Sequence, residues 1–420
     1  MSSSNEVCTS RLENGLRVIT EEIPESKSTA IGIWINVGSR DEAEQYRGCS
    51  HFLEHLLFKG TKRRNAKEIS TVIEERGGYL NAFTDRDMTC YHARVLSRDL
   101  PLAVDVLSDM VVNPLLRKED IDMERTVVLS EIDSRDDDPG DLIHDLYFET
   151  AWGENEAAHP ILGEKKTLDE FDHNAIEDYF DGHYVPNQMV VTAVGHLEHN
   201  KLVEAVEKNL SSIKSSSYRE REKPVFKPSR HHVSRSLSQV QVALTTEGTS
   251  YNDGQRDVLL LISSYLGVGA SSKLFQEVRE KRGLVYSVFG TNYSLQDSGL
   301  FTILAGTQDK FVEKLLEIEL KELANIRKGL SMTKLEKVKH KTVGLAILRS
   351  ESSESRMIQL GVSTLRRGTP KTLAEAITGL NVVDPESIKT FAENSFSKDS
   401  LSLTTLGLSK ETKEKVNALF

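Results

Sequence analysis

Apolar and polar residues alternate in short stretches near the start of each half of the chain. Residues 17–23 and 29–38 show this pattern in the first half, and residues 238–248 show it in the second half. These stretches are rich in β-branched residues, which is typical of β-strands. Longer stretches with helical spacing of apolar positions follow them in both halves. The pattern predicts an α+β fold in which strands and helices are both present in each half.

A polar segment divides the two halves. Residues 211–232 combine serines, charged residues and two prolines, and apolar periodicity is lost there. The segment predicts a linker at 213–231 between an N-terminal domain of residues 1–212 and a C-terminal domain of residues 232–420. A weak internal repeat supports this division, because residues 70–95 and 274–305 both pass from a charged helix through Arg-Gly into two strands. We therefore expect two homologous domains, each a mainly antiparallel sheet backed by helices.

Composition excludes several classes of function. The 420 residues include 53 Lys and Arg against 64 Asp and Glu, a net charge of −11 that disfavours nucleic acid and anionic membranes. No apolar run approaches the roughly 18 residues of a membrane span. Three cysteines, Cys8, Cys49 and Cys90, provide no disulfide framework. With no visible targeting segment, we expect a bacterial cytoplasmic protein, or an organelle matrix protein whose presequence has been removed.

The segment around His51, Glu54 and His55 contains the most informative chemistry. Residues three and four apart share one face of a helix, so these three side chains are expected to point the same way. Two imidazoles at this spacing suit zinc, and the carboxylate between them suits a base acting on water. The order H-x-x-E-H is the reverse of the commoner H-E-x-x-H and is itself a metallopeptidase signature. From the motif alone, a chance surface arrangement is the alternative.

A third protein ligand is expected from a predicted helix at residues 118–134. Glu124 and Glu131 lie seven residues apart on one face of this helix, and Glu131 follows apolar residues that would partly bury it. We expect Glu131 to complete the metal site and Glu124 to orient one of the histidines. A solvated helix surface is the alternative for Glu131 considered by itself.

Together with further motifs in the expected order, these residues resemble a known family. The motifs that accompany His51, Glu54, His55 and Glu131 lie at residues 37–42, 56–61, 77–84, 159–163, 184–189 and 282–286. The chain resembles the pitrilysin-type (inverzincin) zinc metallopeptidases, in particular their short members, the mitochondrial processing peptidase β-type subunit and bacterial processing proteases. The resemblance covers most of residues 10–410.

The resemblance implies a role for each matching residue. His51, His55 and Glu131 would bind one Zn²⁺ per chain, Glu54 would be the general base, and Glu124 would support the site. The implied substrate-binding residues are Asn81 and Ala82 on an edge strand, with Arg282 and Tyr286 as donors to the substrate. A purely structural helix-to-strand turn is the alternative for Arg282 and Tyr286. The fold implied is two homologous domains facing each other across a cavity.

Substrate preference is suggested by two aspartates 10 and 14 positions after Glu131. In the resembling peptidases, acidic residues at these positions bind an arginine near the cleaved bond, and here they are Asp141 and Asp145. A pair of carboxylates can hold a guanidinium bidentately. A solvated acidic helix end is the alternative.

Three functions are consistent with the resemblance. The first is a zinc endopeptidase for extended or presequence-like peptides, acting as a homodimer or with a catalytically silent homologue. The second is a non-catalytic structural subunit of the same fold, which the complete metal motif disfavours. The third is a maturation protease dedicated to one small peptide.

Overall fold

The strands that the alternating patterns predict lie in two separate sheets. The computed structural model describes residues 6–213 and 220–420 of the chain. The strands in this part are β1 (Val7–Arg11), β2 (Arg17–Glu22), β3 (Ser28–Ile35), β4 (Tyr79–Thr84), β5 (Thr89–Leu96), β6 (Met189–Gly195), β7 (Arg230–Val233), β8 (Val240–Glu247), β9 (Val285–Ser294), β10 (Gly299–Thr307) and β11 (Leu401–Leu406).

Helices surround both sheets, and one π-helical segment, Phe275–Glu280, precedes β9. The α-helices of the described residues are α1 (Cys49–Leu57), α2 (Ala66–Glu74), α3 (Leu100–Val112), α4 (Lys118–Asp137), α5 (Pro139–Trp152), α6 (Lys165–Glu170), α7 (His173–His183), α8 (His199–Leu210), α9 (Arg256–Gly267), α10 (Val312–Ile326), α11 (Met332–Ser350), α12 (Ser353–Arg367), α13 (Leu373–Val382), α14 (Pro385–Ser395) and α15 (Lys410–Asn417).

The chain divides into two units, each built from three segments. The segments of the first unit are Met1–Asp133, His159–Arg221 and Ile347–Ala374, and those of the second unit are Ser134–Ala158, Glu222–Ala346 and Glu375–Phe420. The first unit therefore includes α12 from late in the chain, and the second includes α5 from the first half. The division of the sequence at residues 213–231 remains a prediction, and residues 214–219 of that linker lie outside the described residues.

The sheet of the first unit has the strand order β1-β2-β6-β3-β5-β4. Side chains alternate across its central strand, β3, as the period of two requires. Ile31 and Ile33 of β3 point into a core shared with α1, α3 and α8, whereas Trp34 points to the opposite face. There Trp34 packs with Met357 and Leu360 of α12. Helices thus cover both faces of this sheet, which explains why β3 is buried almost throughout.

The sheet of the second unit has the order β7-β11-β8-β10-β9. One face packs on a core that includes residues of α9, α10 and α14. The other face packs on α5, where Tyr147 and Phe148 meet Leu300 and Leu304 of β10.

The two sheets share one topology apart from the additional strand β1. In each, the first strand pairs in parallel with the last, as β2 with β6 and β7 with β11, and the other pairs are antiparallel. The hairpins β4–β5 and β9–β10 occupy the same edge of their sheets and correspond to the internal repeat. The prediction of an α+β fold with two homologous, mainly antiparallel sheet domains is confirmed.

Among the helices of the described residues, none combines the length and the apolar composition that a membrane span requires.

Candidate metal centre

Helix α1 places a polar face beside a buried apolar face. Phe52, Leu53, Leu56 and Leu57 are buried in the core of the first unit. His51, Glu54 and His55 lie on the remaining side of the helix and are half-buried. Residues 51–55 are therefore helical, as the sequence predicted, and the three side chains share one face of the helix.

Glu131 of α4 joins the two histidines. Its Oε2 atom lies 3.7 Å from Nε2 of His51 and 3.6 Å from Nε2 of His55. Zinc ligands about 2.0–2.1 Å from a tetrahedral ion are about 3.3 Å from one another, so these separations are close to those of a metal site. Among the described residues, these three form the one group of at least three His, Cys, Asp or Glu side chains whose ligand atoms all lie within 4.8 Å of each other. Two imidazoles and one carboxylate are a donor set that suits zinc.

The protonation of the histidines also suits a metal. Burial, together with the neighbouring His55, lowers the pKa of His51 to about 3. His51 is therefore neutral at physiological pH, and a neutral imidazole has a lone pair for a metal ion.

Glu124 lies on the other side of the His55 ring. Its Oε2 atom is 3.0 Å from Nδ1 of His55, and its Oε1 atom is 2.5 Å from the Lys59 ammonium. The contact favours the His55 tautomer with a proton on Nδ1, which leaves the lone pair of Nε2 on the side facing Glu131. Val128 and Ile132 of the same helix are buried, and Val127 is exposed.

Glu54 is held by a neighbouring strand. The hydroxyl of Thr84, at the end of β4, donates a hydrogen bond of 2.6 Å to Oε2 of Glu54. Burial raises the pKa of Glu54, while this hydrogen bond and the proximity of His55 act in the opposite direction. One carboxylate oxygen is thus fixed by Thr84, and the orientation of the other is restricted with it.

Asn81 and Ala82 lie on β4, which is the outermost strand of its sheet. Ala82 is buried, and Asn81 is exposed and donates to the hydroxyl of Tyr79. An outermost strand has one row of backbone groups that are not used by the sheet, which is the requirement for pairing with an extended peptide.

Arg282 and Tyr286 belong to the second unit. The Arg282 guanidinium donates to the backbone carbonyl of Glu277 at 2.6 Å and to its carboxylate at 2.8 Å. Tyr286, on β9, is 75% exposed, and the guanidinium of Arg279 lies 5.2 Å from the centre of its ring.

Asp141 and Asp145 lie on α5, also in the second unit. The carboxylate of Asp145 binds the guanidinium of Arg135, which also binds Asp136. This pairing shows that the Asp145 carboxylate can bind a guanidinium. In the structure the guanidinium of Arg135 already binds there.

The sequence reasoning did not assign roles to Thr84, Lys59 or Glu42. All three lie inside the segments that carry the family resemblance, which was the available signal. Their contacts depend on side chains from other elements, and spacing along one strand or helix does not reveal such contacts. Glu42 is fully buried and accepts hydrogen bonds from the backbone at the start of α1.

Comparisons with known proteins agree with this architecture. The family model described as Insulinase (Peptidase family M16) matches residues 17–165, and the model described as Peptidase M16 inactive domain matches residues 170–342. The chain is 37% identical over 395 residues to an uncharacterized zinc protease of Streptomyces coelicolor, with 91% of this chain and 86% of the relative covered. It is 35% identical over 389 residues to the uncharacterized zinc protease YmxG of Bacillus subtilis, with 92% and 95% covered.

Two solved structures share the fold. A protease from Helicobacter pylori has a TM-score of 0.88 at 23% identity, with 96% of this chain and all of that chain covered. A peptidase M16 inactive domain from Pseudomonas fluorescens has a TM-score of 0.90 at 20% identity, with 96% and 98% covered. At these identities the likeness concerns the fold alone. The two family models together with the zinc protease relatives show that the chain belongs to the peptidase M16 family of zinc metallopeptidases.

Proposed function

We propose that the chain is a zinc-dependent endopeptidase. The observation that carries this proposal is the convergence of His51, His55 and Glu131, with Glu54 on the same helix face as the histidines. These three residues would hold one zinc ion per chain, and Glu54 would be the general base.

The residues of the chain divide the chemistry between them. Zinc, when bound, lowers the pKa of a water ligand to about 7 and polarises the carbonyl of the peptide bond. Glu54 accepts the proton of the attacking water and passes it to the leaving amine. Thr84 keeps the Glu54 carboxylate oriented through its 2.6 Å hydrogen bond. Glu124 supports the site by fixing the His55 ring.

The substrate in this proposal is an extended peptide. Backbone pairing along β4 at Asn81 and Ala82 would hold many sequences equally, because main-chain groups are the same in every peptide. Arg282 and Tyr286 are proposed to donate hydrogen bonds to the substrate. The exposure of both side chains and the anchoring of Arg282 by Glu277 support this role.

A preference for a basic residue near the cut is proposed for Asp141 and Asp145. The ion pair between Asp145 and Arg135 supports the ability of this carboxylate to hold a guanidinium. A substrate arginine would have to displace Arg135 from Asp145.

We also propose that the chain acts as a homodimer or with a catalytically silent homologue, inside the bacterial cell. The relatives named above are bacterial, which supports the location. The complete set of His51, Glu54, His55 and Glu131 supports this chain as the active member of such a pair.

The experiment is cleavage of internally quenched peptides, some containing arginine, by zinc-loaded wild type and Glu54→Gln. Glutamine keeps the shape of the side chain but cannot accept the proton, so we expect bound zinc to remain and turnover to fall by at least about a hundredfold. Cleavage that a chelator abolishes in wild type supports the proposal. Equal cleavage by the variant contradicts the role of Glu54, and zinc-loaded wild type that cleaves no peptide favours the structural subunit or a dedicated maturation protease.

A further inference from the structure

The start of helix α1 has an unusual N-cap. Gly48 occupies this position with a φ of 93°, in the left-handed region that favours glycine, and no side chain caps the helix from there. A Cβ atom at Gly48 would lie 2.8 Å from the carbonyl oxygen of Leu162 and 3.0 Å from Cα of Gly163. These are backbone atoms that cannot easily move. The Ser, Thr, Asp or Asn that usually caps a helix is therefore excluded at this position.

Glu42 supplies the cap from six residues upstream. Its Oε2 atom accepts a hydrogen bond from the backbone N–H of Gly48, and its Oε1 atom accepts one from the N–H of Ser50, both at 2.7 Å. The first N–H groups of a helix have no partner within the helix, so a buried helix start needs such an acceptor.

The environment of Glu42 leaves it few alternative positions. The side chain is fully buried. Burial raises the pKa of Glu42, the two backbone hydrogen bonds lower it, and the net result is a pKa of about 8. The hydroxyl of Ser50 lies 2.8 Å from the hydroxyl of Tyr179 on α7, which fixes the same turn of α1 from a second direction. The first turn of α1 is therefore held by side-chain contacts from two separate parts of the first unit.

His51 follows Ser50 directly in this turn. Because the helix has only nine residues, a shift of its first turn moves His51 relative to Glu131. We propose that Glu42 is a positioning residue that caps the metal-binding helix and sets the place of His51, an inference that rests on the proposed zinc site. A cap that only stabilised the fold would change the unfolding free energy and leave zinc affinity unaltered.

The test compares Glu42→Gln with Glu319→Gln in the full-length protein. Glutamine at position 42 keeps one acceptor oxygen for one of the N–H groups of Gly48 and Ser50. Its NH₂ group faces the other N–H group, so that two donors meet and one hydrogen bond is lost. Glu319, on α10 in the second unit, is also a fully buried glutamate, and in the described residues neither of its carboxylate oxygens has a hydrogen-bond partner. Glu319→Gln is therefore the same substitution at an equally buried glutamate that belongs to the other unit.

Zinc affinity is measured by competition with a chromogenic chelator. The values of kcat and KM are measured with a quenched peptide. We expect Glu42→Gln to weaken zinc binding and lower kcat by about 10- to 100-fold, the range for residues that orient metal ligands, with KM little changed. Glu319→Gln should leave both values as in wild type. Wild-type zinc affinity and kcat in Glu42→Gln would overturn the inference.

Hydrogen exchange of wild type provides a test that needs no variant. The amides of Gly48 and Ser50 should exchange as slowly as those of the core strand β3, since both are buried donors to Glu42. Fast exchange of these two amides would overturn the inference even if Glu42→Gln failed to fold. Failure of the proposed function has a different signature, because wild type would then bind zinc without cleaving peptides while Glu42→Gln still bound zinc more weakly.

Discussion

Glu124 lies 3.0 Å from Nδ1 of His55 and is almost completely buried within helix α4. Its other oxygen lies beside the Lys59 ammonium, so the carboxylate is held from two sides. A carboxylate in this position fixes the histidine tautomer and increases its basicity toward a metal. The seven-residue separation of Glu124 and Glu131 on one helix thus lets two carboxylates approach different atoms of one imidazole ring.

Replacing Glu124 by glutamine should weaken zinc binding by about 10- to 100-fold, because the amide keeps the shape but loses the negative charge beside His55. Chelator competition measures the affinity. Glu119→Gln is the control, since Glu119 is an exposed residue of the same helix. An unchanged zinc affinity in Glu124→Gln would show that Glu124 does not support His55.

Replacing Thr84 by valine should lower kcat by about tenfold and leave zinc affinity as in wild type. The reason is that the substitution removes the hydroxyl that donates to Glu54 and keeps the β-branched shape on β4. Steady-state kinetics with a quenched peptide, together with zinc content, measures both effects. A loss of zinc, or a kcat equal to that of wild type, would contradict the proposal that Thr84 orients the general base Glu54.

Replacing Arg135 by glutamine should favour substrates with arginine near the cut. Arg135 binds Asp145 in the structure, and its removal takes away one guanidinium that competes with the substrate for that carboxylate. We expect the ratio of kcat/KM for arginine-containing over neutral peptides to rise by about tenfold. Arg98→Gln, at an exposed arginine, is the control. An unchanged ratio would indicate that Asp145 does not contact the substrate.

The stability of the protein should depend on pH through Glu319. Burial raises its pKa from the ordinary 4.5 to about 8 in the folded protein. Between these values the folded protein holds a proton that the unfolded chain releases, so the free energy of unfolding falls as the pH rises from about 5 to about 8.

Glu319→Gln should remove this contribution and be more stable than wild type at pH 8.5, while the two proteins differ much less at pH 5. Urea unfolding at both pH values measures the difference, and Glu317→Gln, at an exposed site of the same helix, is the control. A stability difference between wild type and Glu319→Gln that does not change with pH would contradict the prediction.

The parts of the site that follow from periodicity were predictable from the sequence. His51, Glu54 and His55 share a face because they are three and four residues apart on one helix, and Glu124 and Glu131 because they are seven apart on another. The predicted strands at residues 17–23, 29–38 and 238–248 correspond to β2, β3 and β8. In each case the information lies within a single element.

The contacts that join distant segments were not predictable in this way. The amphipathic pattern of α12 shows that one face is buried but does not identify the sheet against which it packs. In the structure α12 covers β3, and Gly361 lies so close to the Trp34 ring that a Cβ atom there would be 2.0 Å from it. The caps and partners provided by Glu42, Thr84 and Arg135 likewise depend on tertiary contacts rather than on spacing.

Titration of zinc into metal-free protein, with the initial rate of peptide cleavage recorded at each addition, tests the central claim most directly. The account predicts that the rate rises linearly and stops rising at one zinc per chain, and that Glu54→Gln binds the same single equivalent without gaining activity. Cleavage that does not depend on zinc, or activity retained when His51, His55 and Glu131 are each replaced by alanine, would contradict it.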